Sequence, residues 1–171
     1  PDAYGLLSFK DLKTYSIDYA LTSADNAKNV DLKFYCMGKG KDVPSEPRLY
    51  SINATKTNEY TGSGGVSLNT AAVKNKTMIA KLSGFDYDNA TVTSIASEIS
   101  ASLIVKEDLI PITEGDIIAF KTASTSAAGG NRIGVMKIII SMTPSTGEGV
   151  LKPGDTTARV LTVEIKFPKK K

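Results

Sequence analysis

The sequence predicts a mainly β protein: an antiparallel two-sheet β-sandwich with one short helix at about residues 89–103. Three observations carry that expectation. Several segments alternate apolar and polar side chains with the period of two of a strand. Two β-branched runs flank a glycine-ended loop late in the chain, the pattern of a hairpin. Stretches rich in glycine and proline separate these segments, with no repeat of fixed period.

Taken in order, "NVDLKFYCMG" alternates Val30, Leu32, Phe34 and Cys36 against Asp31, Lys33 and Tyr35, which predicts a strand with one dry and one wet face. Cys36 then reads as a small core residue. "GKGKDVPSEPR" is predicted as a loop, followed by a short strand in "RLYSIN". The polar, glycine-rich stretch at 54–69 contains "TGSGG", which lacks a basic residue and a following helix signal and reads as a flexible loop. "KTMIAKLSGF" predicts another strand, with Met78, Ala80 and Leu82 opposite Ile79 and Lys81.

The period then changes. In "DNATVTSIASEISASLIV" the apolar residues Val92, Ile95, Ala96, Ile99 and Leu103 recur every three or four positions, the stripe of an amphipathic helix, with Asp88 or Asn89 as its N-cap. "GDIIAFKT" and "RIGVMKIIIS" should pair as an antiparallel hairpin. The second is apolar on both faces (Ile133, Val135 and Ile139; Met136, Ile138 and Ile140), as befits a strand inside a sheet. "RVLTVEIKF" alternates Leu161, Val163, Ile165 and Phe167 against Thr162, Glu164 and Lys166, a strand with one solvent face.

At 171 residues the chain suits one domain over 1–171, with residues 168–171 as a basic, frayed tail. Its 41% hydrophobic and 23% charged residues are ordinary globular usage, and no apolar run reaches the roughly 20 residues of a membrane span. A net charge of +3, partly in the terminal lysines, predicts no nucleic-acid partner. The single cysteine excludes an internal disulfide. The chain holds no histidine, so serine and cysteine triads and imidazole-dependent zinc sites are excluded.

The remaining motifs are weak. "DYDNAT" begins like a calcium loop, but its fifth position is Ala90, its sixth Thr91 and its twelfth Ser97. "GGNRIG" lacks the lysine and the helix of a phosphate loop. The acids Glu98, Glu107, Asp108, Glu114 and Asp116 sit beside turn residues and suggest no catalytic pair. The expectation is a non-enzymatic protein with no cofactor and no metal. Tyrosine supplies the one specific binding hypothesis: Tyr15, Tyr19, Tyr50 and Tyr60, in or near loops, as a platform on which a sugar stacks. The hairpin tip "STSAAGGN" (124–131) carries positive-φ residues at its end and reads mainly as a bend.

Three stretches, "SFKDLKTYSI…KNVDLKFYC", "GDIIAFKTAS…RIGVMKII" and "RVLTVEIKF", together resemble uncharacterised secreted surface lipoprotein domains of Bacteroides-type gut bacteria. The resemblance implies export, a lipid-anchored cysteine upstream, and a place on the outer membrane surface or in the periplasm. It implies a binding or architectural role, and the expected function is a non-enzymatic, surface-tethered domain that binds a glycan or a surface protein through its loops. The alternative expectation is a structural subunit of a fimbria-like surface assembly.

Overall fold

β-Branched and aromatic side chains concentrate where the backbone runs extended, and the resulting strands form two antiparallel sheets. In the computed structural model of the protein, the described residues are 5–37, 46–54, 60–109, 112–142 and 160–168. The first sheet contains β1 (Leu6–Ser8), β2 (Lys13–Tyr15), β3 (Leu32–Met37), β4 (Glu46–Ser51) and β6 (Asp108–Leu109), in the order β2-β1-β3-β4-β6. The second contains β5 (Met78–Leu82), β7 (Ile117–Lys121), β8 (Ile133–Met142) and β9 (Val160–Lys166), in the order β5-β7-β8-β9. The mainly β, two-sheet architecture is the one the sequence predicts. A bridge between Ile79 and Lys106, just ahead of β6, ties the sheets together along one side.

The predicted hairpin forms, with Ile117 opposite Lys137 and Lys121 opposite Ile133. β8 lies between β7 and β9, which accounts for its two apolar faces. Met136 and Ile138 point between the sheets and join Phe9, Leu32, Leu49, Ile79, Ile118 and Phe120 in the principal core. Ile133 and Val135 point outward into a second cluster with Ala80, Tyr87, Ile95, Ile99 and Ile104. Phe9 and Phe120 stack with ring centroids 3.8 Å apart, and Phe167 tilts against both. Gly134 makes that cluster fit, because a Cβ there would lie 2.4 Å from Phe120 and 2.8 Å from Phe167.

Several expectations need correction. The helix α3 spans Val92–Glu98 rather than 89–103, followed by a 3-10 turn at Ala101–Leu103. Its N-cap is Thr91, in a reciprocal capping box with Ser94, and neither Asp88 nor Asn89. Of its predicted stripe, Ile95 and Ile99 are buried while Val92 and Leu103 are 62% and 61% exposed. Two turns of 3.6-residue periodicity are too few to define a face when the chain changes direction at Ile99 and Ile104.

Two further helices, α1 (Ile17–Thr22) and α2 (Ala24–Lys28), were not expected; Ser16 caps the first and Ser23 the second. The first covers part of the first sheet with the segment around Leu68, in a third cluster of Leu6, Ala20, Val30, Ile52, Tyr60 and Leu68, and the second packs beside the first. The predicted wet face of β3 is therefore dry at Lys33, which is fully buried, while Asp31, just ahead of β3, is fully buried against Phe9 and the loop that carries Ser126. The side chain of Cys36, the predicted core cysteine, lies outside the described residues, as do the terminal lysines 169–171 and residues 38–45 of the loop predicted in "GKGKDVPSEPR", whose last three residues instead begin β4.

Candidate functional site

The chain leaves β2 at Tyr15 and turns at once into α1. The Ser16 hydroxyl accepts the N–H of Tyr19 at 3.1 Å, and this capping turn folds the Tyr19 ring back over Tyr15. The rings stack with centroids 4.0 Å apart and planes 16° off parallel. Both are half-buried, resting on the cluster that contains Tyr60. A ring of hydrogen bonds fixes their polar ends. The Tyr15 hydroxyl donates to Asp11 Oδ2 at 2.6 Å, and Asn29 Nδ2 donates to the same oxygen at 2.6 Å and to the Tyr19 hydroxyl at 3.1 Å. Ser8 Oγ donates to Asn29 Oδ1, holding the amide in place.

The electrostatics follow from this ring. Bonds from Asn29 and then Tyr15 lower the Asp11 carboxyl below its ordinary value, so it stays an acceptor. The bond to Asp11 pushes the Tyr15 phenol up to about 12. Next to Asp11, at the tip of the β1–β2 hairpin, Leu12 adopts φ 53° and is 59% exposed. A leucine in the left-handed region is costly, and displaying it at a tip removes the usual return from burial.

Tyr50 and Tyr60, the other two predicted platform residues, are placed differently. They are 2% and 5% exposed, and meet edge to face at 6.5 Å. The Lys33 ammonium lies 5.7 Å from the Tyr50 ring and 4.6 Å from the Tyr60 ring, and it donates to the Ala54 carbonyl at 3.3 Å. Neither ring offers a face to a sugar. A tyrosine beside a glycine-rich loop looks exposed in sequence; here α1 and the 60–71 segment close over it.

The loop "DYDNAT" does gather oxygens around a positive charge, and that charge belongs to the chain itself. Lys166 Nζ donates to the carbonyls of Tyr87 (2.6 Å), Asp88 (2.9 Å) and Ala90 (3.2 Å) and lies 4.9 Å from the Tyr87 ring. Asp88 pairs with Lys137 at 2.8 Å, while Asp86 accepts from both the backbone and the side chain of Asn89. Burial pushes the Tyr87 phenol up to about 12. Loop 86–91 is thus a receptor for the last strand.

The β7–β8 tip is likewise engaged from within. Thr122 Oγ1 donates to the Gly129 carbonyl at 2.6 Å and accepts the Arg132 N–H at 2.9 Å, closing the loop on itself. Gly129, at φ 101°, and Asn131, at φ 58°, provide the positive-φ turns. The loop then docks on the first sheet: Ser126 Oγ donates to Asp31 Oδ1, Thr125 Oγ1 to Asn75 Oδ1, and the Ala127 N–H to the Lys28 carbonyl. Sequence reasoning read this loop as a bend and missed the clasp, since Asp31 lies 95 residues from Ser126, just ahead of β3.

No family model and no curated protein matches the chain. Among solved structures, a DUF4466 family protein from Parabacteroides merdae is similar in fold, with a TM-score of 0.57 at 17% identity. The match covers 98% of this chain and 50% of that one, so the chain spans half the length of that protein. The likeness is one of fold, to a protein from the Bacteroides-type bacteria to which the sequence resemblance points. Among the described residues, no helix is long and apolar enough to cross a membrane.

Proposed function

We propose that this is a non-enzymatic, surface-tethered binding domain of a secreted bacterial protein, and that it recognises a glycan at the Tyr15–Tyr19 pair. One observation carries the reading: two half-exposed tyrosines are pre-stacked and locked through their hydroxyls to a carboxylate and an amide. Rigid aromatic area with polar groups at its edge suits a sugar ring, whose C–H face stacks while its hydroxyls hydrogen-bond. Because Asp11 and Asn29 already hold the rings, little ordering cost remains for the ligand to meet. The absence of histidine from the sequence and the sequence resemblance support a binding role at the outer membrane over catalysis.

The test is a glycan-array screen of the domain beside a Tyr15→Ala, Tyr19→Ala double variant. Binding by the wild type that the double variant loses, with an unchanged circular dichroism spectrum, is the expected result. An array on which nothing binds, or binding that survives the double substitution, would overturn the reading.

A further inference from the structure

Asp31 is fully buried at the start of β3, and two donors from distant parts of the chain converge on it. The Phe9 N–H, where the chain leaves β1, donates to Oδ2 at 2.9 Å, and the Ser126 hydroxyl donates to Oδ1 at 2.5 Å. Ser126 in turn accepts the Ala128 N–H at 3.1 Å. One carboxyl group therefore joins the first sheet, the β1–β2 hairpin and the 122–132 loop of the second sheet.

No ion pair joins Asp31 to another described residue, and Lys33, the buried lysine two residues along, has its ammonium at the Ala54 carbonyl and the Tyr50 and Tyr60 rings. The charged side chains on the surrounding elements are each occupied elsewhere or turned to solvent. Asp11 is bonded to Asn29 and Tyr15, and Lys10 is exposed. Lys28 pairs with Asp25, and Lys76 pairs with Glu107. Arg132 donates to the Ala128 carbonyl and lies over the Phe167 ring. Asn75, Thr77 and Thr122 are buried but neutral.

We propose that Asp31 is a proton-operated clasp: neutral, it binds the 122–132 loop to the first sheet, and on ionising it loosens that loop. A carboxylate sealed from water without a counter-ion is costly, whereas the neutral acid is not. The hydroxyl of Ser126 serves both states. It donates to the carboxylate, or accepts from the carboxylic acid while its second lone pair keeps the Ala128 N–H. Burial moves the Asp31 carboxyl from its ordinary 3.8 to about 6, against the opposing bonds from Ser126 and Phe9. Since the folded state binds this proton more tightly, the clasp is complete below about pH 3.8 and weakens as pH rises through about 6.

The experiment is amide hydrogen exchange on the whole chain across pH 4 to 7.5, corrected for intrinsic rates, with the Phe9, Ala127 and Ala128 amides as reporters. Their protection should fall by up to about 100-fold as pH rises through the window, the two-unit difference in proton affinity. In Asp31→Asn, where the amide donates to Ser126 and its oxygen still accepts from Phe9, protection should no longer follow pH. Should that variant fail to fold, the 13C shift of the Asp31 carboxyl in the wild type decides. A midpoint near 6 that the loop amides follow supports the clasp. Protection independent of pH, pH dependence that persists in Asp31→Asn, or a carboxyl midpoint at the ordinary 3.8 overturns it.

Discussion

Gly134 shows how one residue governs the principal core. It sits in mid-strand, where glycine ordinarily weakens a sheet, yet Phe120 and Phe167 occupy the space a side chain would fill. Gly134→Ala should destabilise the protein by about 1–3 kcal/mol, through displaced rings rather than backbone strain. Chemical denaturation measures the loss, and an unchanged midpoint would show that the rings have other room. In sequence this glycine appeared only as the end of "GGNRIG", with nothing to signal the two rings beside it. Lys33 was equally illegible: its polar position in an alternating strand predicted solvent, whereas the β3–β4 register sets it opposite Tyr50 and the 60–71 segment brings Tyr60 to it. Of the four candidate tyrosines, Tyr15 and Tyr19 are half-buried while Tyr50 and Tyr60 are buried, a difference the sequence had no means to show.

Among elements, legibility followed length and regularity. β7, β8 and β9 run five residues or more and fell where the two β-branched runs and the alternation of "RVLTVEIKF" put them. β1, β2 and β6 have two or three residues each, α1 and α2 six and five, and such lengths carry no period. Only the serine caps at Ser16 and Ser23 signalled the helices, and serine is common in loops. The Lys166 clasp is an element-scale device, since it pins β9 to the loop that leads into α3. Lys166→Met keeps the stem and removes the ammonium, leaving three carbonyls to water. The expected cost is about 1–3 kcal/mol, with faster amide exchange concentrated in residues 86–91. Exchange unchanged in that loop would mean that the ammonium does not organise it.

The whole molecule is a sandwich whose two sheets are each covered again on part of the outside. α1 and the 60–71 segment lie over the first sheet, and α3 with the segment leading to Ile104 lies over the second. That extra cover is why Lys33 on the alternating strand β3 is buried, while Lys81 of β5 and Thr162 and Glu164 of β9 still face solvent. The centre is most sensitive at Ile138, fully buried between the sheets beside a β-bulge. Ile138→Asp should cost at least about 4 kcal/mol, enough to unfold a domain of ordinary stability. A cooperative thermal transition near that of the wild type would show the core to be misplaced. The central claim, that recognition belongs to Tyr15 and Tyr19, is tested most directly by calorimetric titration of the best array glycan into the wild type, Tyr15→Phe and Tyr15→Ala. Affinity retained within a few-fold by the phenylalanine variant and lowered at least about 10-fold in the alanine variant is the predicted result. Equal affinity for all three proteins would contradict it.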